Sequence, residues 1–419
     1  MHNETPRRVV VTGLGAVTPI GVGAQEFWQG LITGKNGVAR VTHFDPSRFS
    51  SMMAAEVKDF RPGDWVDGKS VARMDRFTHF SLAASAMAFK DAGLDVDAFD
   101  RCRAGVIIGS GIGGSDSIEN GHLCFQQKGP RGLNPFFVSK VLINMSSCMV
   151  SIQYGLKGPL SALSVACSTG ANAIGDGFRT IQRGDADLML AGASEASITP
   201  LAYGGFCATR SMSRRNNHPD KASRPFDKTR DGFVMGEGAG VVVLEELEHA
   251  KKRGTRIYAE LAGYGNSADA YHLTAPEPDG QGMVRAMMLA LKDAGLDPSE
   301  IGYINAHGTA TELNDKIESA AIIKVFGPHA RRLKVSSIKS MIGHLMAAAG
   351  AVECVATVLS VATNILPPTI NYEVPDPECP LDYVTGGMER VDVRAALSNS
   401  FGFGGGNACL VVSKYQGDK

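Results

Sequence analysis

The sequence predicts a layered α/β fold built from two similar halves, and three observations lead there. Short apolar stretches of strand character alternate with stretches of helical periodicity along all 419 residues, the pattern of stacked helix and sheet layers. Phe89-Lys-Asp-Ala-Gly-Leu-Asp95 returns as Leu291-Lys-Asp-Ala-Gly-Leu-Asp297. In each copy a helix ends at Gly and an apolar strand follows, Gly105-Val-Ile-Ile108 in one and Ile301-Gly-Tyr-Ile304 in the other. The opening strands also correspond, Val11-Thr-Gly-Leu-Gly15 with Leu261-Ala-Gly-Tyr-Gly265. An internal repeat of this kind implies two copies of one α/β unit. The boundaries read as 1–257 and 258–419, with the halves packed as a pseudo-dimer and their loops meeting at one site.

In chain order, Arg7 to Thr12 reads as a strand that turns at Gly13-Leu-Gly15. This G-x-G lacks both a third glycine and an acidic partner about twenty residues on, so it is not a dinucleotide fingerprint. Residues 27–70 read as an irregular, partly helical insertion. A helix follows over Ser70–Ala92, with Phe77, Phe80, Ala84 and Met87 at helical spacing, and then a buried strand over Ala104–Ser110. Leu163 to Ala166 reads as another buried strand. Ile174, Phe178 and Ile181 recur at helical spacing after it, and Gly184 ends that helix. Leu345 to Leu366 carries one charge, Glu353. A single Ala- and Gly-rich stretch of this kind, holding a carboxylate, predicts a buried core helix and not a membrane span.

Composition narrows the function. A net charge of −1 gives no general attraction to nucleic acid or to an anionic membrane, although a local basic patch is compatible with it. The eight cysteines form no C-x-x-C pair, which excludes a zinc ribbon or a disulfide framework. Scattered free thiols predict a reducing compartment: the cytoplasm, or an organelle stroma or matrix if a transit peptide has been removed. Met1 to Arg8 runs into Val9-Val-Val11 without an apolar signal core.

Chemistry concentrates in four places. In Val165-Ala-Cys-Ser-Thr-Gly170, Cys167 falls between a predicted strand and a predicted helix. Unpaired N–H groups and the positive end of the helix dipole favour thiolate there. A lone Cys is more often a small buried hydrophobe, so the downstream motifs decide. Asn305-Ala-His-Gly-Thr-Ala-Thr311 places His307 at a strand end, followed by Gly and hydroxyl residues. Ser337-Ile-Lys-Ser-Met-Ile-Gly-His344 puts Lys339 and His344 in a second loop, and Asn399-Ser-Phe-Gly-Phe-Gly-Gly-Gly-Asn407 supplies a flexible backbone bearing Phe403.

In this order, the four motifs resemble the β-ketoacyl-acyl-carrier-protein synthases, the condensing enzymes of the thiolase-like superfamily. The likeness extends over essentially the whole chain, including Asp227-Lys-Thr-Arg-Asp-Gly-Phe-Val-Met-Gly-Glu-Gly-Ala-Gly240. Two His motifs with a Cys resemble the elongating synthases, and Ile112 within the Gly109–Gly114 cluster resembles the type II enzyme. The resemblance implies a five-layered αβαβα fold, a homodimer and an acyl-carrier-protein partner, with no metal or redox cofactor. It implies that Cys167 carries the acyl group as a thioester and that His307 and His344 stabilise the enolate left when malonyl-carrier protein loses CO2. The N–H groups of Cys167 and Phe403 would form the oxyanion hole, and Lys339, paired with Glu318, would set the electrostatics. Ile112, Phe206, Phe401 and Gly402 would border the acyl chain, and Thr309 and Thr311 the malonyl carboxylate or pantetheine arm. Lys69, Arg73, Arg76, Arg131 and Arg210 would dock the acidic carrier protein. Glu353 would hold the fold or a monovalent cation.

Other readings compete. A polyketide ketosynthase would run the same chemistry on other chains. A thiolase needs a second Cys at the C-terminal glycine loop, and Cys409 lies beyond it among apolar residues. Ser336-Ser-Ile-Lys339 matches the S-x-x-K of penicillin-binding enzymes, but no K-T-G follows, and no G-x-S-x-G esterase motif occurs. A lipid-binding partner subunit would typically lack the nucleophile. Ala310, Glu312, Gly406, Ala347 and Ser147-Cys148 depart from the commoner family pattern without removing a catalytic group.

Overall fold

The computed structural model describes residues 7–417; Met1–Pro6, read above for a targeting signal, lies outside them. The first half contributes strands β1 (Val9–Thr18), β2 (Ala104–Gly109), β3 (Leu160–Ser161), β4 (Leu188–Glu195) and β5 (Gly238–Glu246). The second contributes β6 (Ala259–Ala268), β7 (Ile301–Asn305), β8 (Lys334–Ser336), β9 (Asp382–Tyr383), β10 (Ala395–Phe401) and β11 (Gly406–Ser413). Their spatial order is β9-β8-β7-β10-β11-β6-β1-β5-β4-β2-β3. With the short β9 set aside, each half follows one plan: β3-β2-β4-β5-β1 is repeated as β8-β7-β10-β11-β6. The first two pairings of each series are parallel and the last two antiparallel. The halves join where β1 pairs antiparallel with β6, Val9–Val11 against Ala259–Leu261.

Five helices complete the layers: α1 (Arg76–Asp91), α2 (Thr169–Gln182), α3 (Gln281–Ala294), α4 (Glu312–Phe326) and α5 (Ala349–Thr363). α2 and α5 touch each other and strands from both halves, so they form the middle layer. α1 covers the outer face of the first half, against β1 and β5, and α3 covers β6 and β11 of the second, with α4 packed on it. The result is the five-layered αβαβα fold. A continuous apolar core joins Ile174 and Phe178 of α2, Val352 and Val355 of α5, and strand residues such as Leu244 and Leu410. Met346–Thr363 is apolar and long enough to cross a membrane, yet 89% of its residues are buried inside the protein.

Glycine sets how closely these layers approach. A Cβ at Gly170 would lie 2.5 Å from Ala351 N, and one at Gly350 would lie 2.8 Å from Ala171 N. The two inner helices therefore meet backbone to backbone at their first turns. Gly13 and Gly15 behave likewise and correct the expected turn there, because β1 runs through them to Thr18. Their Cβ positions would fall 2.3 Å from Ala88 O and 1.9 Å from Ala84 O, so the glycines let α1 lie on the strand. The strand expected over 163–166 is also absent. These residues are a partly exposed turn beyond the edge strand β3. α1 begins at Arg76, later than read, after a short separate turn at Gly68–Val71. The insertion folds into helix Ala24–Ile32 and a small sheet in which Met53–Ala55 pairs with Val38–Arg40 and Met235–Gly236.

Candidate active site

Cys167 stands on a turn that its own neighbours hold. Ala166 has φ +46°, a left-handed conformation unusual for a residue with a Cβ. Thr169 Oγ1 accepts from Val165 N–H at 2.8 Å and donates to Ala166 O at 2.7 Å, while Ser168 Oγ donates to Val165 O at 2.9 Å. The hydroxyls of the Cys-Ser-Thr run thus fix the turn, and α2 starts two residues after the sulfur. The expected thiolate is not the resting form: burial pushes the Cys167 pKa up to about 11. Phe403 N–H and the Lys339 charge act in the opposite direction. The helix start is present, but the buried Cys167, 8% exposed as a residue, pays the larger desolvation penalty.

Both histidine loops come from the second half. The N–H groups of His307 and Gly308 donate to Glu318 Oε1 and Oε2, each at 2.8 Å, and Asn399 Nδ2 adds a bond of 3.1 Å to Oε1. Asp315, one turn earlier on α4, accepts Thr309 N–H at 3.0 Å and Phe226 N–H at 2.8 Å. The second loop is anchored through backbone, His344 N–H donating to Val234 O at 2.7 Å and Gly236 N–H to His344 O at 2.8 Å. The two imidazoles then stand edge to face, with centroids 5.4 Å apart.

The predicted Lys339–Glu318 pair does not form. Both Glu318 oxygens are occupied by the donors just named, and Lys339 pairs with Glu353 of α5, each side chain 1% exposed. Lys339 Nζ also donates to His307 O at 2.5 Å and lies 3.4 Å from His307 Nδ1. Burial, reinforced by the Lys339 charge, holds both imidazoles well below their ordinary pKa, so both are neutral. With Lys339 facing Nδ1, the remaining proton of His307 sits on Nε2. Glu318 meanwhile is pushed up to about 7 by burial, against its hydrogen bonds.

A cavity of about 370 Å³ unites the groups: Cys167, His307 and His344 line it together with Phe401, Gly402 and Phe403. Phe206, Thr309 and Thr311 also line it. A Cβ at Gly402 would lie 3.2 Å from Cys167 N, so this glycine brings the Phe403 loop onto the nucleophile turn. Lys339 and Glu318 lie behind the wall and do not line it. Ile112 does not line it either. It is 36% exposed on the turn after β2. Of the basic residues, Lys69, Arg73 and Arg131 are exposed, and Arg210 is exposed at the cavity rim. Arg76 is not available for docking: it forks onto the buried Glu237 at 2.8 and 2.9 Å and stacks on Phe80. Sequence reasoning missed Asp315 and Arg230, which donates to Thr311 O at 3.1 Å and Glu312 O at 3.0 Å. Asp315 had a readable signal, since it shares a helix face with Glu318 three residues on.

A buried Cys facing two neutral imidazoles, within five layers built from two like halves, defines a thiolase-like acyl-transferring enzyme. The beta-ketoacyl synthase N-terminal domain matches residues 6–250 and the C-terminal domain of the same family residues 258–373. The chain belongs to the β-ketoacyl synthase family of condensing acyltransferases. It is 51% identical over 416 residues to a 3-oxoacyl-[acyl-carrier-protein] synthase 2 of Synechocystis sp., covering 99% of this chain and 100% of the relative. A protein of the same name from Coxiella burnetii is 50% identical over 408 residues, covering 97% and 99%. Among solved structures, a beta-ketoacyl synthase from Burkholderia phymatum superposes with a TM-score of 0.91 at 37% identity, covering 98% of this chain and 100% of that one. A type II polyketide ketosynthase in complex with its acyl-carrier protein matches with a TM-score of 0.91 at 38% identity, with the same coverage.

Proposed function

We propose that this chain elongates fatty acyl groups carried by acyl carrier protein, with Cys167 as the acyl acceptor. The observation that carries the reading is the pair of neutral imidazoles facing Cys167 across one cavity. The Cys167 sulfur attacks the acyl thioester, the acyl group moves to Cys167, and the carrier leaves as its free thiol. Malonyl-carrier protein then enters and its C–C bond to the carboxylate breaks, releasing CO2. Charge gathers on its thioester oxygen, and hydrogen bonds from His307 and His344 stabilise that enolate. The enolate carbon attacks the acyl-Cys167 carbonyl, whose oxyanion is held by the N–H groups of Cys167 and Phe403. Collapse breaks the C–S bond, expelling Cys167 as a thiolate that takes a proton from water to regain the resting thiol, and releases β-ketoacyl-carrier protein.

Neutral histidines suit this role, because a buried imidazolium would pay the desolvation cost and be repelled by the Lys339 charge. Lys339 and Glu318 are positioning groups: one fixes the His307 tautomer, the other the backbone beneath His307 and Gly308. Thr309 and Thr311 border the pantetheine arm or malonyl carboxylate. Lys69, Arg73, Arg131 and Arg210 form the docking surface for the acidic carrier. A polyketide ketosynthase would use identical steps; the higher identity to the 3-oxoacyl synthases supports fatty acyl elongation.

The reading includes a homodimer. Leu123, Phe125, Phe136, Val138 and Leu142 are exposed on one stretch of the first half, and β3, with its exposed Leu160, is the open edge strand of that half. Exposed apolar side chains and an unpaired strand edge on the same half suit a second copy of the chain. Eight unpaired cysteines suit a reducing compartment such as the cytoplasm. The test is intact-protein mass after mixing with acyl-carrier protein: wild type gains one acyl group and Cys167→Ala gains none. No adduct on wild type at any chain length would overturn the reading.

A further inference from the structure

Glu195, at the end of β4, belongs to none of the groups discussed so far, yet it is fully buried and surrounded by donors. Its Oε2 accepts Gly111 N–H at 2.9 Å. Its Oε1 accepts Ser197 Oγ at 2.6 Å and Ser110 Oγ at 3.4 Å. The N–H groups of Ile112 and Ala347 also face the carboxylate. The contact with the 110–113 turn is close: a Cβ on Gly111 would fall 2.6 Å from Oε2 and 3.4 Å from Ala347 Cβ. The turn is tightened further by Gly113 N–H donating to Ser110 Oγ at 3.1 Å and Ser164 Oγ to Gly111 O at 3.2 Å.

Two segments, one outside the cavity and one bordering it, thus share one buried group. One is the turn bearing Ile112. The other follows His344 directly, and its Met346 lines the cavity. Three backbone N–H groups and two hydroxyls converge here, and a carboxylate, with two oxygens and only acceptor capacity, serves them all. Removing it leaves buried N–H groups without partners, which the turn relieves by moving.

We propose that Glu195 is a positioning residue for acyl selection, holding the Gly111–Ile112 turn and the Met346–Ala347 segment in fixed register. Through Ala347 N–H the carboxylate fixes the backbone next to Met346, which lines the cavity, and so limits the room open to a longer chain. This rests on the acyl-enzyme reading above. Gln substitutes for it: the amide oxygen keeps the backbone N–H groups while the hydroxyls rotate to accept from its NH2.

The test compares acylation rates of wild type, Glu195→Gln and Glu195→Ala by short- and long-chain acyl-carrier protein, followed as mass gain on Cys167. Glu195→Ala shifts the long-to-short rate ratio toward the long donor by about fivefold or more, the scale of losing one to two buried hydrogen bonds, while Glu195→Gln stays within about twofold of wild type. An unchanged ratio in folded Glu195→Ala overturns the inference, as does a Gln variant displaced as far as Ala. If Glu195→Ala does not fold, Gly111→Ala displaces the same turn from the other side and should move the ratio, and no movement there overturns it equally. Wild type that takes no acyl group would instead overturn the acyl-enzyme reading itself, so the two failures are distinguishable.

Discussion

At the residue scale, the protonation states of Cys167 and the histidines are set by burial more than by the helix start. The sequence pattern located Cys167, His307 and His344 because each sits in a short run whose neighbours do local work: the hydroxyls of Ser168 and Thr169 shape the turn. It did not reveal the Cys167 pKa, because desolvation depends on what the second half places over the sulfur. With that pKa near 11, alkylation of Cys167 by iodoacetamide should rise about tenfold per pH unit through the neutral and mildly alkaline range. A plateau near neutral pH would mean that the helix start prevails. The Lys339 partner was likewise out of reach of motif reading, since Glu353 arrives from a helix on another layer. Lys339→Met leaves that carboxylate buried alone and should cost about 3–5 kcal/mol in denaturant unfolding, with much of the loss recovered in the double variant with Glu353→Gln. Equal stability of wild type and Lys339→Met would contradict the pairing.

At the element scale, the middle layer depends on backbone contact between α2 and α5. Gly350→Ala should lower stability by about 1–3 kcal/mol through overpacking, because its Cβ meets Ser400 Oγ at 2.6 Å and Ala171 N at 2.8 Å; thermal unfolding measures this. The repeat made the two-half plan legible, and periodicity made α2 and α5 legible. What failed was the reading of small residues. Gly13 and Gly15 looked like a turn because glycine is permissive, whereas their function is to admit α1 against a continuing strand. Leu163–Ala166 looked like a strand from its apolar run, but it lies beyond the last paired strand, where no ladder is available to hold it.

At the scale of the whole molecule, the pseudo-symmetric halves have divided the labour. The first places Cys167, the proposed nucleophile, in the cavity, and the second places both imidazoles and the Phe403 loop there. The exposed apolar residues around Val138 and the open edge β3 both belong to the first half. Val138→Asp with Leu142→Asp should convert a dimer into monomer in sedimentation or light scattering, and a wild-type monomer would remove that part of the proposal. If the two halves divide the reaction in this way, discharge of the acyl group from Cys167 depends on the histidines of the second half. Enzyme acylated on Cys167 is mixed with malonyl-carrier protein, and the acyl adduct is followed by mass. Wild type should lose the adduct and form β-ketoacyl-carrier protein, whereas His307→Ala and His344→Ala should keep the acyl group, each at least about a hundredfold slower in discharge. Discharge of either histidine variant at the wild-type rate would contradict it.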